Sequence, residues 1–284
     1  MAAKKNDDLR QFAAEIRIQT LYCMASAGGG HVGGAMSICD TLAVLYGRVM
    51  HIDPAHPRWE DRDRFVLSKG HAGPAVYAAL ALKKFFPIEE LETLNRGGTH
   101  LPSHCDRNKT PGIDMSTGSL GQGISAACGM ASALKKKKSK ARVYAILGDG
   151  ELQEGQVWEA MQYAAHQELT NLTIYIDNNK RQLDGYLEEI CRPFDLREKV
   201  AAFGLPCVRV NGNDVDAVLE ATENSMRSEG PRVIILDTEK GIGCPFAETV
   251  KFNHHMAFTK EDVVEAEKEI RSRCARGIVG REEA

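Results

Sequence analysis

Five short, largely apolar runs constrain this chain more than any other feature: Arg64-Phe65-Val66-Leu67-Ser68, then residues 142–147, 172–177, 206–210 and 232–237. From residue 142 onward these runs alternate with stretches of helical spacing near 153–168, 195–203 and 214–228. A strand that is apolar on nearly every residue must be covered on both faces, and parallel neighbours need long crossovers, usually helices, to connect them. The pattern therefore predicts an α/β fold: a doubly wound parallel sheet with helices on both faces. Upstream, apolar residues at Leu9, Phe12, Ala13, Ile16, Leu21 and Met24 predict a helix over Asp8–Ala27. Further helices are predicted over 37–49, 73–86 and 124–134, with a short one from Pro87 to Leu94. A charged amphipathic segment, Thr259 to Arg273, opens a C-terminal helical tail over about 259–284. No repeat or low-complexity linker interrupts the chain, so residues 1–284 read as a single domain.

Composition narrows the function classes. The net charge is −3, without the basic excess that nucleic-acid binding requires. The run Lys135-Lys136-Lys137-Lys138 lies between a helix and a strand and reads as a solvated helix end. No stretch approaches the ~18 apolar residues of a membrane span, and the N-terminus has no apolar signal core. The eight cysteines include no C-x-x-C pair, which suits free thiols in a reducing compartment. These readings point to the cytoplasm, with neither nucleic acid nor membrane as partner.

In doubly wound sheets, ligands bind at the carboxyl ends of the strands. Two of those ends carry Gly148-Asp149-Gly150 and Asp177-Asn178-Asn179. Asp149 and Asn179 offer a carboxylate and an amide oxygen, hard ligands suited to Mg²⁺ or Ca²⁺. Gly150 would let a diphosphate approach the backbone closely. Gly-Asp-Gly alone is a common turn. The paired asparagines on the next strand end, separated from it by the twenty-seven residues 151–177, make it a metal-and-phosphate site. A glycine-rich loop at 28–34 and an irregular stretch from Gly97 to Met115 are further candidates for functional loops.

That interval resembles the thiamine diphosphate-binding motif. Four stretches, the last of them starting at that Gly-Asp-Gly, occur in the order of the transketolase branch: GGHVGG at 29–34, DRFVLSKGHA at 63–72, STGSLGQG at 116–123 and GDGELQEGQVWEA at 148–160. The resemblance runs from about residue 10 to about 258. It implies thiamine diphosphate and Mg²⁺ (or Ca²⁺) as cofactors, with the metal held by Asp149, Asn179 and the backbone carbonyl of Arg181. It assigns His71, Gly118, Ser119, Leu120, Gly150, Asn179, Leu183 and His254 to the cofactor, and His31, His104 and His254 to the substrate. His255 is the neighbouring alternative to His254, and Asn253 stands where the family usually carries tryptophan. Arg181 replaces a more usual aliphatic residue, which a backbone ligand tolerates. Glu154 matches a glutamate in a polar link between two active sites. On the residues alone, His31 also reads as a loop histidine capping the backbone, His71 and Gly118 as helix-start residues, His104 as exposed, and Glu154 as a first-turn carboxylate.

The same resemblance implies transfer of a two-carbon ketol unit from a ketose to an aldose, with pentose phosphates as the default sugars. In transketolases the glutamate that activates the cofactor lies on a second α/β domain, and no second series of strand–helix units follows here. The expectation is a split enzyme. A separate C-terminal subunit would carry the pyrimidine-binding domain and catalytic glutamate, in an α2β2 heterotetramer. The alternatives are an α-type subunit of a 2-oxoacid dehydrogenase and a non-catalytic regulatory subunit.

Overall fold

The five apolar runs pair into one parallel sheet. The computed structural model describes residues 6–227 and 229–280. Its strands are β1 (Gly29–Gly30), β2 (Arg64–Leu67), β3 (Val143–Gly148), β4 (Leu172–Asn178), β5 (Cys207–Asn211), β6 (Arg232–Asp237) and β7 (Met256–Ala257). Its helices are α1 (Asp7–Ala25), α2 (Val32–Met36), α3 (Cys39–Val44), α4 (Gly73–Leu82), α5 (Gln122–Lys136), α6 (Gly155–His166), α7 (Leu187–Ile190), α8 (Leu196–Ala202), α9 (Val215–Met226) and α10 (Lys260–Arg276). The sheet runs β2-β3-β4-β6-β5, and every pairing in it is parallel.

Strand alternation divides the core in two. Tyr144, Ile146, Tyr175, Ile234 and Leu236 face α1, α3, α4, α9 and α10. Val143, Ala145, Leu147, Ile174, Ile176, Val233 and Ile235 face α5, α6 and α8. Both faces of the central strands are buried, which is why their sequence shows no polar alternation. The register sets Gly148 beside Asp177, and Asn178 beside Asp237. The polar tips of β3, β4 and β6 therefore emerge together at one end of the sheet.

The N-terminal half differs in detail from the sequence expectation. The predicted helix 37–49 is in two pieces, α3 and a π-helical turn at Leu45–Val49, and a separate α2 precedes it, starting inside the glycine loop. Ser37, at the break, turns its hydroxyl to Asp177 Oδ2 at 2.7 Å. The helix at 73 stops at Leu82, before Lys84 takes a φ of 67°. β1 and β7 form a two-residue antiparallel pair that clamps the segment after β6 over the glycine loop. Gly29 is required there, since a Cβ would lie 2.1 Å from the Met256 carbonyl oxygen.

Side chains fix several helix ends. Thr259 and Asp262 form a capping box at the start of α10. Lys135 donates to the carbonyls of Gln167 and Glu168, both at 2.8 Å, at the C-terminal end of α6. The last four residues of the predicted tail, 281–284, lie outside the described residues. Among the described residues, no helix is long and apolar enough to cross a membrane.

Candidate active site

Asp149 follows directly on β3, and its backbone N–H donates to the Asp177 carbonyl at 3.1 Å. Its carboxylate accepts the N–H of Gly150 at 2.8 Å and that of Lys180 at 2.5 Å. Lys180 takes a φ of 65° to make this turn. Asp149 is 3% exposed. Burial, and then the nearby Asp177, push its carboxyl up to about 7. A buried carboxylate oriented by two amides and held so high fits a site that a cation completes.

Asn179 is buried beside it. Its Nδ2 donates to Asp177 Oδ2 at 2.8 Å, and its Oδ1 accepts the Arg181 N–H at 3.2 Å. Asp177 is wholly buried and also receives Lys69 Nζ at 2.6 Å, Ser37 and the Thr238 hydroxyl. Burial acts to raise its pKa, but Lys69 and the two hydroxyls outweigh that and hold the carboxyl below the ordinary range. Lys69 Nζ also donates to the Gly34 carbonyl at 2.7 Å.

From the end of β6, Lys240 reaches across. Its Nζ lies 3.1 Å from the Gln182 carbonyl, 3.4 Å from the Arg181 carbonyl and 3.2 Å from His254 Nδ1. Burial is the main reason its ammonium is pushed down to about 8. The Arg181 guanidinium donates to the Val250 carbonyl at 3.0 Å and lies over the Tyr186 ring.

Four histidines converge on this cradle. His31 is central, with ring centroids 5.5 Å from His71, 5.6 Å from His104 and 5.2 Å from His254. Burial is the first cause of depressed basicity in all four: His31 falls to about 4, His71 to about 2, His254 to about 3, and His104 below its ordinary value. They are neutral at pH 7, so each offers one N–H and one acceptor nitrogen. His255 lies 5.0 Å from His31 but is exposed and does not line the cavity, whereas His254 does. Asn253 is fully buried where the family's tryptophan was expected. Its amide bridges the carbonyls of Lys240 (2.7 Å) and Ala247 (2.9 Å), and its own carbonyl accepts the Gly33 N–H. These three bonds tie the residue before His254 to the segment after β6 and to the start of α2.

The resulting cavity, about 270 Å³, is lined by His31, His71, His104, Gly118, Leu120, Asp149, Gly150, Asn179, Arg181, Leu183 and His254. These are all of the sequence-predicted site residues except Ser119, which is exposed and lies outside the lining. Glu154 is exposed at the start of α6. Larger hollows exist, including one of about 1000 Å³ beyond β4 and β6. The smaller cavity is the candidate because it alone of the two gathers the Asp149 carboxylate, the Asn179 amide and the histidines.

The donor set suits its implied occupants. A carboxylate, an amide oxygen and a carbonyl are hard ligands for Mg²⁺, which completes its shell with phosphate and water. Lys69, Lys240 and His71 line the same cavity and suit a diphosphate. A Cβ at Gly34 would lie 3.2 Å from His71 Nε2 and 3.6 Å from Lys69 Nζ, so glycine keeps that side open. Sequence reasoning missed Lys69, Glu151, Asp177, Gln182 and Lys240. The available signal was charge at the carboxyl end of an apolar run, which marks Lys69 after β2, Asp177 in β4 and Lys240 after β6.

The chain matches known proteins over most of its length. Residues 9–274 match the family described as "Transketolase, thiamine diphosphate binding domain". The chain is 51% identical over 267 residues to a 6-deoxy-6-sulfo-D-fructose transketolase subunit from Clostridium sp. (strain MSTE9), covering 92% of this chain and 97% of that protein. It is 37% identical over 266 residues to an apulose-4-phosphate transketolase subunit from Actinobacillus succinogenes, covering 93% and 96%. A crystal structure of a transketolase variant from Pichia stipitis superposes with a TM-score of 0.87 at 27% identity, over 93% of this chain. The chain spans 40% of that solved transketolase.

Proposed function

The chain belongs to the transketolase family, as a thiamine diphosphate-binding domain, and on that footing we propose that it is the N-terminal subunit of a two-chain transketolase. It moves a two-carbon ketol unit from a ketose to an aldose, using thiamine diphosphate and Mg²⁺. The observation that carries this reading is the single cavity in which Asp149, Asn179 and the four neutral histidines meet. When bound, thiamine diphosphate supplies a carbon that stabilises negative charge as the bond beside a carbonyl is cleaved or formed.

This chain's residues do the rest. Asp149, Asn179 and the Arg181 carbonyl hold the Mg²⁺. His71, Gly118, Ser119, Leu120, Gly150 and Leu183 seat the cofactor, joined by Lys69 and Lys240 at the diphosphate. His31, His104 and His254 hydrogen-bond the sugar hydroxyls and move their protons. Neutral imidazoles suit that task, and such a group contributes about 10²–10⁴ in rate.

The partner is a C-terminal subunit with the pyrimidine-binding domain and activating glutamate, assembled as an α2β2 heterotetramer in the cytoplasm, with residues 1–284 as one domain. Two relatives named as subunits match this chain over nearly their whole length, which supports the split arrangement. Their names cover a sulfonated ketose and a sugar phosphate. We therefore propose a sugar with an anionic terminal group as substrate, either phosphorylated or sulfonated.

The test is ketol transfer from fructose 6-phosphate and from 6-deoxy-6-sulfofructose to an aldose phosphate, with this chain alone and mixed with the partner subunit. The proposal predicts transfer only in the mixture. Transfer by this chain alone would contradict the split reading, and a mixture that only decarboxylates pyruvate would contradict the transketolase reading.

A further inference from the structure

An amide metal ligand has two ends with opposite preferences. The oxygen binds a cation and the NH2 group repels it, yet a half-turn about one side-chain bond exchanges them. A site that relies on an amide therefore needs something to fix its orientation. In this chain Asn179 Nδ2 donates to Asp177 Oδ2 at 2.8 Å. A flipped amide would set oxygen against a carboxylate that can only accept, so one orientation is enforced.

The carboxylate is itself immobile. Oδ2 also receives Lys69 Nζ at 2.6 Å and the Ser37 hydroxyl at 2.7 Å, and Thr238 donates to Oδ1. These donors come from three separate places: the turn after β2, the end of α2 and the end of β6. Asp177 is in β4, two residues before Asn179, and is 0% exposed.

We propose that Asp177 is a positioning residue that turns the Asn179 amide oxygen toward the divalent cation, with Lys69 as the buried counter-charge that keeps the carboxylate in place. The assignment rests on the metal site proposed above and goes beyond its three ligands. Partners behind a metal ligand commonly govern metal affinity by about 10–100-fold.

The measurement is thiamine diphosphate binding by calorimetry at increasing Mg²⁺, on this chain mixed with its partner subunit. Asp177→Asn raises the Mg²⁺ midpoint about 10–100-fold. Because that variant leaves Lys69 buried without an anion, the comparison is repeated in a Lys69→Met background, where the Asp177→Asn protein has neither member of the ion pair. If Asp177 only neutralises Lys69, the rise disappears there; the proposal predicts that it persists. Should Asp177→Asn alone fail to fold by circular dichroism, the Lys69→Met pair carries the test. An unchanged midpoint in a folded Asp177→Asn protein, or a rise that vanishes with Lys69→Met, overturns the assignment. Mg²⁺-independent binding by the unsubstituted protein overturns the metal site itself, and this inference with it, so the two failures are distinct.

Discussion

At the floor of the cavity, Asp149, Asn179, Asp177 and Lys69 are buried and hydrogen-bonded to one another and to the strand ends. Around its mouth the picture reverses. Leu183, which lines the cavity, is 60% exposed, and Phe252, two residues before His254, is 61% exposed. The floor is built on β3 and β4, where in-register pairing leaves no freedom in how Asp149 and Asn179 approach. The mouth is built on loops after β4 and β6 that leave apolar side chains in water. Scattered exposed apolar residues are ordinary, but one lining a polar cavity points to cover from elsewhere. The contrast supports the proposal that this chain supplies the cation and diphosphate end of the site and that a second surface covers the other end.

The largest effect should come from the floor. Asp149→Ala removes the one charged side chain of the proposed metal site, and Mg²⁺-dependent thiamine diphosphate affinity should fall by more than about 100-fold; a loss under about threefold would break the contrast. Next come the histidines between the two zones. His31→Ala and His104→Ala should lower kcat by about 10²–10⁴ in steady-state assays of the mixed subunits while leaving cofactor affinity within a few-fold. Equal losses in both quantities would make them cofactor ligands.

Leu183→Asp probes the mouth. It should leave the melting temperature of the isolated chain nearly unchanged, because the position is already in water. In the assembled enzyme it should weaken cofactor binding by about 10–100-fold, since burying a leucine contributes about 1.5–3 kcal/mol. Destabilisation of the isolated chain would show that the side chain is already packed there.

The smallest effect is on pH-dependent stability. Four imidazoles have lowered pKa values when folded, so the unfolded chain binds more protons as pH falls below 6.5. Stability is therefore lost on the acid side, continuing through about 4 for His31. Asp149, raised from 3.8 to about 7, acts in the opposite sense across that interval, and Asp63 and Glu151, whose carboxyls burial also raises, add to it at its acid end. The melting temperature of the metal-free chain should fall between pH 7 and 5, and His31→Asn should make the fall shallower. A steeper fall in the variant would refute the neutral-histidine reading.

The same contrast explains what the sequence disclosed. β3, β4 and β6 are buried on nearly every residue, the pattern of a sheet covered on both faces, while the edge strand β5 is half-exposed, and all five strands fall where the runs predict. Gly148-Asp149-Gly150 and Asn178-Asn179 stand at strand ends, where position alone marks them as a site. The mouth and its supports were harder to read. β1 and β7 pair over two residues each, too short to leave a periodicity. The helix starting at Val32 lies inside a glycine cluster that reads as a loop, because what fixes it is Asn253, more than two hundred residues away, against Gly33. Asp177 and Lys69 were passed over because each looks like the tail of a strand. Their role depends on a pairing between separate strand ends, which no local pattern records.

A high-resolution crystal structure of this chain with its partner subunit, thiamine diphosphate and Mg²⁺ tests the central claim most directly. The account predicts one Mg²⁺ about 2.0–2.1 Å from oxygens of Asp149, Asn179 and the Arg181 backbone, with the cofactor's pyrimidine ring against the partner. A cation bound elsewhere, or a pyrimidine ring enclosed by copies of this chain only, would contradict it.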